Sequence, residues 1–128
     1  METPCLKILV VEDDPDLASL EAELFEEHGH RVEVAANGRE ALAAVERAAP
    51  DLILLDMKMP IMSGREFVEE YRRAQPSPAP IVVVSAADDA QVRAAEVGAS
   101  GWIAKPFDPD ALVKNVMRLL PPANVPPP

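Results

Sequence analysis

Four short apolar runs, far apart in the chain, end in groups able to handle a hard cation or a phosphoryl group. Ile8-Leu9-Val10-Val11 leads into Glu12-Asp13-Asp14, and Leu52-Ile53-Leu54-Leu55 into Asp56. Ile81-Val82-Val83-Val84 leads into Ser85, and the run from Gly101 to Ala104 into Lys105. Carboxylates held close repel one another, and a divalent cation such as Mg²⁺ relieves the repulsion by taking oxygen ligands. With the cation in place, a carboxylate oxygen of Asp56 can attack a phosphoryl group in line and form an acyl phosphate. Cation and Lys105 would neutralise charge on the transferring oxygens, and the Ser85 hydroxyl would donate a hydrogen bond to one of them. Singly, these residues have plainer readings. Glu12-Asp13-Asp14 could simply cap a helix and complement its dipole. Asp56 could be a turn residue, and Ser85 and Lys105 ordinary surface groups. Their joint occurrence, each at the end of a different apolar run, is what points to a phosphoryl-acceptor site.

The residues meet only if the elements bring them together. Apolar runs this short suit strands buried on both faces. The pattern predicts strands over residues 6–11, 52–55, 81–84 and 101–104, the run 52–55 ending at Asp56, and residues 31–35 alternate as a further short strand, the second in chain order. Between them the 3.6-residue period predicts helices. The first opens at Pro15 behind an Asp cap, runs to about His28 with Leu17, Leu20, Leu24 and Phe25 buried, and stops at Gly29. A second spans residues 39–48 after the Asn37-Gly38 turn, with Leu42 and Val45 inward. After a loop from Pro60 to Gly64, the third runs to about Arg73 and buries Phe67, Val68 and Tyr71. A short fourth, capped by Asp88 or Asp89, reaches Val97 and stops at Gly98. The last opens at Asp108-Pro109 and carries Leu112, Val113, Val116, Leu119 and Leu120 as its apolar stripe. Five strands alternating with five helices call for an α/β domain, a parallel sheet with helices on both faces and right-handed crossovers. In such a sheet all strand ends of one sense share an edge, where open α/β sheets place their ligands.

The bulk numbers narrow the function classes. A chain of 128 residues suits one compact domain, here residues 1–120, with the proline-rich stretch 121–128 as a tail or linker. The net charge of −10 repels phosphate backbones and speaks against direct nucleic-acid binding. Most of these acids read as solvated helix faces. No apolar run approaches the roughly 20 residues needed to span a membrane. The first residues lack a signal-peptide layout, and Cys5 is the only cysteine, so a cytoplasmic location fits. His28 and His30 read as solvated.

With Ile8 to Asp14, Leu54-Leu55-Asp56-Met57-Lys58-Met59-Pro60 with Gly64, Ser85-Ala86 and Lys105-Pro106-Phe107 together, the chain resembles a response-regulator receiver domain of two-component signalling, the CheY-like fold. The resemblance covers about residues 6–120. It implies a (βα)5 doubly wound sheet in the order 2-1-3-4-5. It also implies that Asp56 is a phosphoacceptor charged by a phosphohistidine on a sensor histidine kinase or a histidine phosphotransfer protein. Asp13 would ligate Mg²⁺ directly beside Asp56, Glu12 would hold a metal-bound water, and the backbone carbonyl of Lys58 would be a further ligand. Ser85 and Lys105 would bind the phosphoryl oxygens, Lys105-Pro106 would be a cis peptide, and Asp14 would cap the first helix.

The implied output is a switch. Ser85 would move toward the phosphoryl group, and the aromatic of strand five would turn inward behind it. That aromatic is commonly Tyr or Phe, and here it is Trp102, bulkier and with an N–H that needs a partner when buried. The face of helix four, strand five and helix five, with Ala90, Ala94, Ala95, Trp102, Val113 and Lys114 as candidates, would carry the signal to an output domain, to a partner protein or to a second copy in a phosphorylation-dependent homodimer. Such a module is not an enzyme beyond its own phosphoryl transfer and dephosphorylation. Two rival readings stand beside it. An aspartyl-nucleophile phosphatase or phosphotransferase of the haloacid-dehalogenase type needs a second acid two residues after Asp56, where this chain has Lys58. A receiver-like interaction module that is never phosphorylated would have no use for the full set of site residues. Ser63 stands where relatives often have Asp, and Lys58 and Ala87 would flank the phosphoryl group.

Overall fold

The apolar runs form the sheet. In the structure, a computed structural model that describes residues 5–57 and 61–120, ten elements alternate. They are β1 (Lys7–Val11), α1 (Pro15–Glu27), β2 (Arg31–Ala35), α2 (Gly38–Arg47), β3 (Leu52–Asp56), α3 (Gly64–Ala74), β4 (Ile81–Ala86), α4 (Ala90–Val97), β5 (Gly101–Lys105) and α5 (Pro109–Arg118). The strands pair in parallel in the order β2-β1-β3-β4-β5, the doubly wound α/β sheet that the alternation and the resemblance led us to expect. The carbonyl of Lys58 and the tail 121–128 lie outside the described residues. Asp56, Ser85 and Lys105 are themselves strand residues, so the strands run one or two positions further than their apolar runs.

Because strand side chains alternate between faces, each run feeds two cores at once. Leu9, Val11, Ile53, Leu55, Ile81 and Val83 pack against α2, α3 and α4 through Ala44, Phe67, Tyr71 and Ala94. Ile8, Val10, Leu52, Leu54, Val82 and Val84 pack against α1 and α5 through Ala18, Phe25, Leu112 and Val116. Glu12 and Asp56 continue the second series, so the period alone sends both carboxylates toward the α1–α5 layer at the carboxyl edge.

Helix ends follow their caps. Asp14 accepts from the N–H groups of Asp16 and Leu17 at 3.0 and 3.3 Å, and Ser63 forms a reciprocal capping box with Glu66 at the start of α3. Asp89 precedes α4 without a side-chain cap bond, unlike the expected capping by Asp88 or Asp89. The other end of α4 is held instead. Gly98 closes it in the left-handed region at φ 61°, and the Arg72 guanidinium donates to the carbonyls of Val97 and, at 3.1 Å, Gly98. These bonds satisfy the last carbonyls of α4 and tie the helix to α3. Arg72→Ala should therefore lower stability by about 1 kcal/mol, read from chemical denaturation; unchanged stability would show that water replaces both bonds freely.

Two expectations of burial need correcting. The buried side of α1 is Ala18, Glu21 and Phe25, while Leu17 and Leu24 are half-buried and Leu20 is exposed. His28 is exposed, but His30 is buried beneath Phe25, and its Nδ1 accepts the N–H of Leu6 at 3.0 Å. Burial, and then the charge of His28, hold the His30 imidazole below its usual range, which suits a neutral ring acting as acceptor.

Candidate functional site

Three carboxylates converge at the carboxyl edge. Glu12 follows β1, Asp13 comes next in the chain, and Asp56 ends β3; one oxygen from each lies within 4.8 Å of the others. Glu12 and Asp56 are buried, whereas Asp13 is open to solvent. Lys105, at the end of β5, reaches across the edge. Its Nζ donates to Glu12 Oε1 at 3.0 Å and pairs with Asp56 Oδ2 at 3.7 Å. The second oxygen of Glu12 accepts the Asp14 N–H at 3.2 Å.

The electrostatics show a surplus of negative charge. Burial, reinforced by neighbouring Asp56, pushes the Glu12 carboxyl up to about 7 against the pull of Lys105. For Lys105, burial works against the charge, but the bond to Glu12 and the charges of Asp56, Glu12 and Glu21 outweigh it, and its pKa is raised. One ammonium thus offsets several clustered acids. An all-oxygen donor set with one member facing solvent fits a hard divalent cation, which would remove the remaining repulsion.

The other predicted residues fall around this centre. Ser85 is buried on β4 at the same edge. It lies one residue beyond Val84, the register partner of Asp56, and is itself in register with Ala104 beside Lys105. The Lys105-Pro106 peptide is cis. Gly64 opens α3 directly under the acid: a Cβ there would stand 2.9 Å from Met57 Cα and 3.1 Å from the Asp56 carbonyl oxygen. Both are backbone atoms that cannot swing aside, so only glycine lets α3 start this close. Trp102 is 43% exposed on β5, with its ring outward in this state. Of the candidates for the α4–β5–α5 face, Ala95, Trp102 and Lys114 are exposed, but Ala90, Ala94 and Val113 are core residues. A helix as short as α4 spends Ala90 and Ala94 on packing against the sheet, and Val113 lies on the buried side of α5, so these three do not belong to the surface.

Among the acids assigned to solvated helix faces, Glu21 is misplaced. It is 1% exposed, and burial, then the charge of Glu12, push its carboxyl up to about 8, with Lys105 opposing and Asp56 adding to the rise. Its place three residues after Ala18 and four before Phe25 is the signal that could have found it.

A parallel five-stranded domain with an acid trio and a lysine at its carboxyl edge belongs to the class of phosphoacceptor signalling domains. The family model described as response regulator receiver domain matches residues 8–117, and the chain belongs to that family, as a receiver module of two-component signalling. It is 38% identical over 122 residues to the DNA-binding response regulator MtrA of Mycolicibacterium smegmatis, covering 94% of this chain and 53% of that protein. It is 36% identical over 116 residues to the sporulation initiation phosphotransferase F of Bacillus subtilis, covering 90% of this chain and 94% of that protein. The chemotaxis response regulator CheY4 of Vibrio cholerae superposes with a TM-score of 0.82 at 36% identity, over 91% of this chain and 100% of that one. The chain thus spans about half the length of MtrA and of other curated relatives, and nearly all of the phosphotransferase. Among the described residues no helix is long and apolar enough to cross a membrane.

Proposed function

We propose that Asp56 is the phosphoacceptor of this receiver domain. The observation that carries the proposal is the clustering of Glu12, Asp13 and Asp56 within 4.8 Å with Lys105 Nζ 3.7 Å from Asp56. The donor is a phosphohistidine on a sensor histidine kinase or a histidine phosphotransfer protein. An Asp56 carboxylate oxygen forms the new O–P bond as the N–P bond of the donor breaks. Asp13 and Asp56, the Lys58 carbonyl and, through water, Glu12 would hold Mg²⁺, which when bound neutralises charge on the transferring oxygens. Lys105 and the Ser85 hydroxyl bind those oxygens. An apolar groove of about 440 Å³, formed by Leu17, Leu20, Pro106, Phe107 and Pro109, opens beside Lys105 and offers the donor a landing surface.

The signal leaves through α4, β5 and α5, with Ser85 and Trp102 as the switch pair. Ala95, Trp102 and Lys114 mark the face offered to an output domain, a partner protein or a second copy. Residues 1–120 act as the receiver, residues 121–128 as a tail or linker, and the module works in the cytoplasm without direct contact to nucleic acid or membrane. Its chemistry is limited to its own phosphoryl transfer and dephosphorylation. A second reading, a phosphotransferase, is supported by the 36% identity to the sporulation initiation phosphotransferase F of Bacillus subtilis.

Incubation with acetyl phosphate and Mg²⁺ should add one phosphoryl group to the intact protein by mass spectrometry. Asp56→Asn, or removal of Mg²⁺ by chelation, should abolish the gain. A wild-type protein that gains no mass under conditions that preserve acyl phosphates would overturn the assignment.

A further inference from the structure

α3 and α4 both begin at the carboxyl edge, and one side chain joins their far ends. Gly64 seats the start of α3 against the backbone of Met57 and Asp56. About 12 Å further along the helix, Arg72 leaves α3 next to Tyr71. Tyr71 is buried, stacks on Phe67 at 5.6 Å and accepts the Ala79 N–H at 2.8 Å, which fixes this turn of α3. The Arg72 guanidinium crosses to α4 and donates to the carbonyls of Val97 and, at 3.1 Å, Gly98. It spans a groove of about 260 Å³, lined in part by Val68, Glu69 and Glu96, so the two helices leave room between them there.

The two ends of α4 are held unequally. At the far end the Gly98 N–H donates to the carbonyls of Ala94 and Ala95. The Ala99 N–H donates to Ala94 at 2.9 Å, and the Ser100 N–H to Ile81, the first residue of β4, at 2.8 Å. Arg72 takes the carbonyls that this closure leaves over. Ala94 and Val97 belong to the core that includes Val83 and Tyr71. The near end begins at Ala90, which buries a single methyl, and it hangs from Ser85 by Ala86 and the turn of residues 87–89. A displacement of Ser85 thus reaches the near end first, and the far end resists it. Trp102 is placed to report the result. It is in register with Val83, and so belongs to the face of the sheet that α4 covers.

We propose that Arg72 is a positioning residue that acts as the fulcrum of α4: it pins the far end of the helix to α3, so that a movement of Ser85 toward the Asp56 site tilts the near end instead of shifting or unwinding the whole helix. The inference rests on the reading in which occupancy of Asp56 is passed on through Ser85 and Trp102. Arginine suits the role because its planar fork meets two carbonyls at once and keeps its charge. The clasp lies at the far ends of both helices and takes no part in the chemistry at Asp56. Its loss therefore separates the acceptance of the phosphoryl group from the transmission of the signal.

The test is residue-resolved amide exchange by NMR on the full chain, with and without Mg²⁺ and beryllofluoride as the phosphoryl analogue. It compares wild type with Arg72→Ala and with Arg72→Met, which keeps the aliphatic stem. In wild type the analogue should change exchange rates at residues 87–92 and leave residues 97–99 as they were. In both variants residues 97–99 should exchange about fivefold faster before the analogue is added, and the analogue should then alter rates along the whole helix. The change in Trp102 emission on adding the analogue should be largely lost in both. Acetyl phosphate should still add a phosphoryl group to either variant as it does to wild type. A merely structural Arg72 would lower stability and leave the Trp102 change and the pattern of exchange intact, and that result overturns the inference. An analogue effect spread over all of α4 in wild type overturns it as well. Wild type that gains phosphoryl mass yet shows no exchange change in α4 overturns it together with the signal route, and wild type that gains no phosphoryl mass overturns it together with the acceptor reading.

Discussion

Glu21→Gln should make the domain more stable at neutral pH, by on the order of 3 kcal/mol. The Glu21 carboxyl is raised from 4.5 to about 8. At pH 7 it is therefore largely protonated in the folded domain and ionised in the unfolded chain. A raised carboxyl favours folding fully only below its unfolded value, and that contribution is lost as pH rises through the folded value. Neutral pH lies about 2.5 units into this window, at about 1.4 kcal/mol per unit, which sets the size of the effect. Glutamine fills the same space and is uncharged in both states, so it avoids the loss. The gap between the two proteins should vanish near pH 4 and open steadily above it, levelling off beyond about pH 8. Denaturant unfolding at several pH values measures it directly. A Gln variant equal to or weaker than wild type at neutral pH would mean that Glu21 has an ionic partner and is charged in the fold.

Much of the fold was legible because four of the five strands lie on short, mostly apolar runs and the remaining one, β2, alternates between apolar and charged residues. Alternation with helical periods then leaves a parallel sheet as the economical solution. The strand order came from the resemblance, since adjacency is decided by packing that no single segment encodes. Asp56, Ser85 and Lys105 stood out because a polar group just past a buried run has only the sheet edge to occupy. Glu21 did not stand out. A leucine stripe at Leu17, Leu20 and Leu24 looks like the natural core side of α1, and it is offset by one residue from the true side. One residue is about 100° of rotation, and large apolar side chains do not fix it. Ala18 does, being small enough to let α1 approach the sheet, and it carries Glu21 inward with it. Leu20 is thereby turned out beside Pro106 and Phe107, where the groove at Lys105 gives it a use. His30 escaped notice for a related reason: a polar residue between Gly29 and a strand looks solvated until Phe25 and Leu6 are seen to enclose it. Both misreadings assume that a titratable side chain faces water, and that assumption fails where backbone geometry leaves it no route out.

Lys105→Met should slow phosphorylation by acetyl phosphate about a hundredfold, the usual scale for losing one donor to a developing oxyanion. Mg²⁺ affinity should not fall. Lys105 is the one cation reaching both Glu12 and Asp56 among the described residues, so its removal leaves the trio with more uncompensated negative charge. That charge favours a divalent cation, so the effect on metal binding runs opposite to the effect on transfer. Methionine retains the packing of the aliphatic stem without the charge. The hydrogen bond from Lys105 lowers the Glu12 carboxyl, which burial and Asp56 still hold up at about 7 with the lysine in place. Without the lysine Glu12 climbs further, and near neutrality its proton would compete with the metal. The comparison therefore belongs above about pH 8, where Glu12 is more fully ionised in both proteins. An unchanged rate of phosphorylation would reduce Lys105 to a resting-state counter-ion. A parallel fall in Mg²⁺ affinity at that pH would instead show that the lysine acts by holding the carboxylates in their converging positions, and that the charge of the phosphoryl oxygens is met elsewhere.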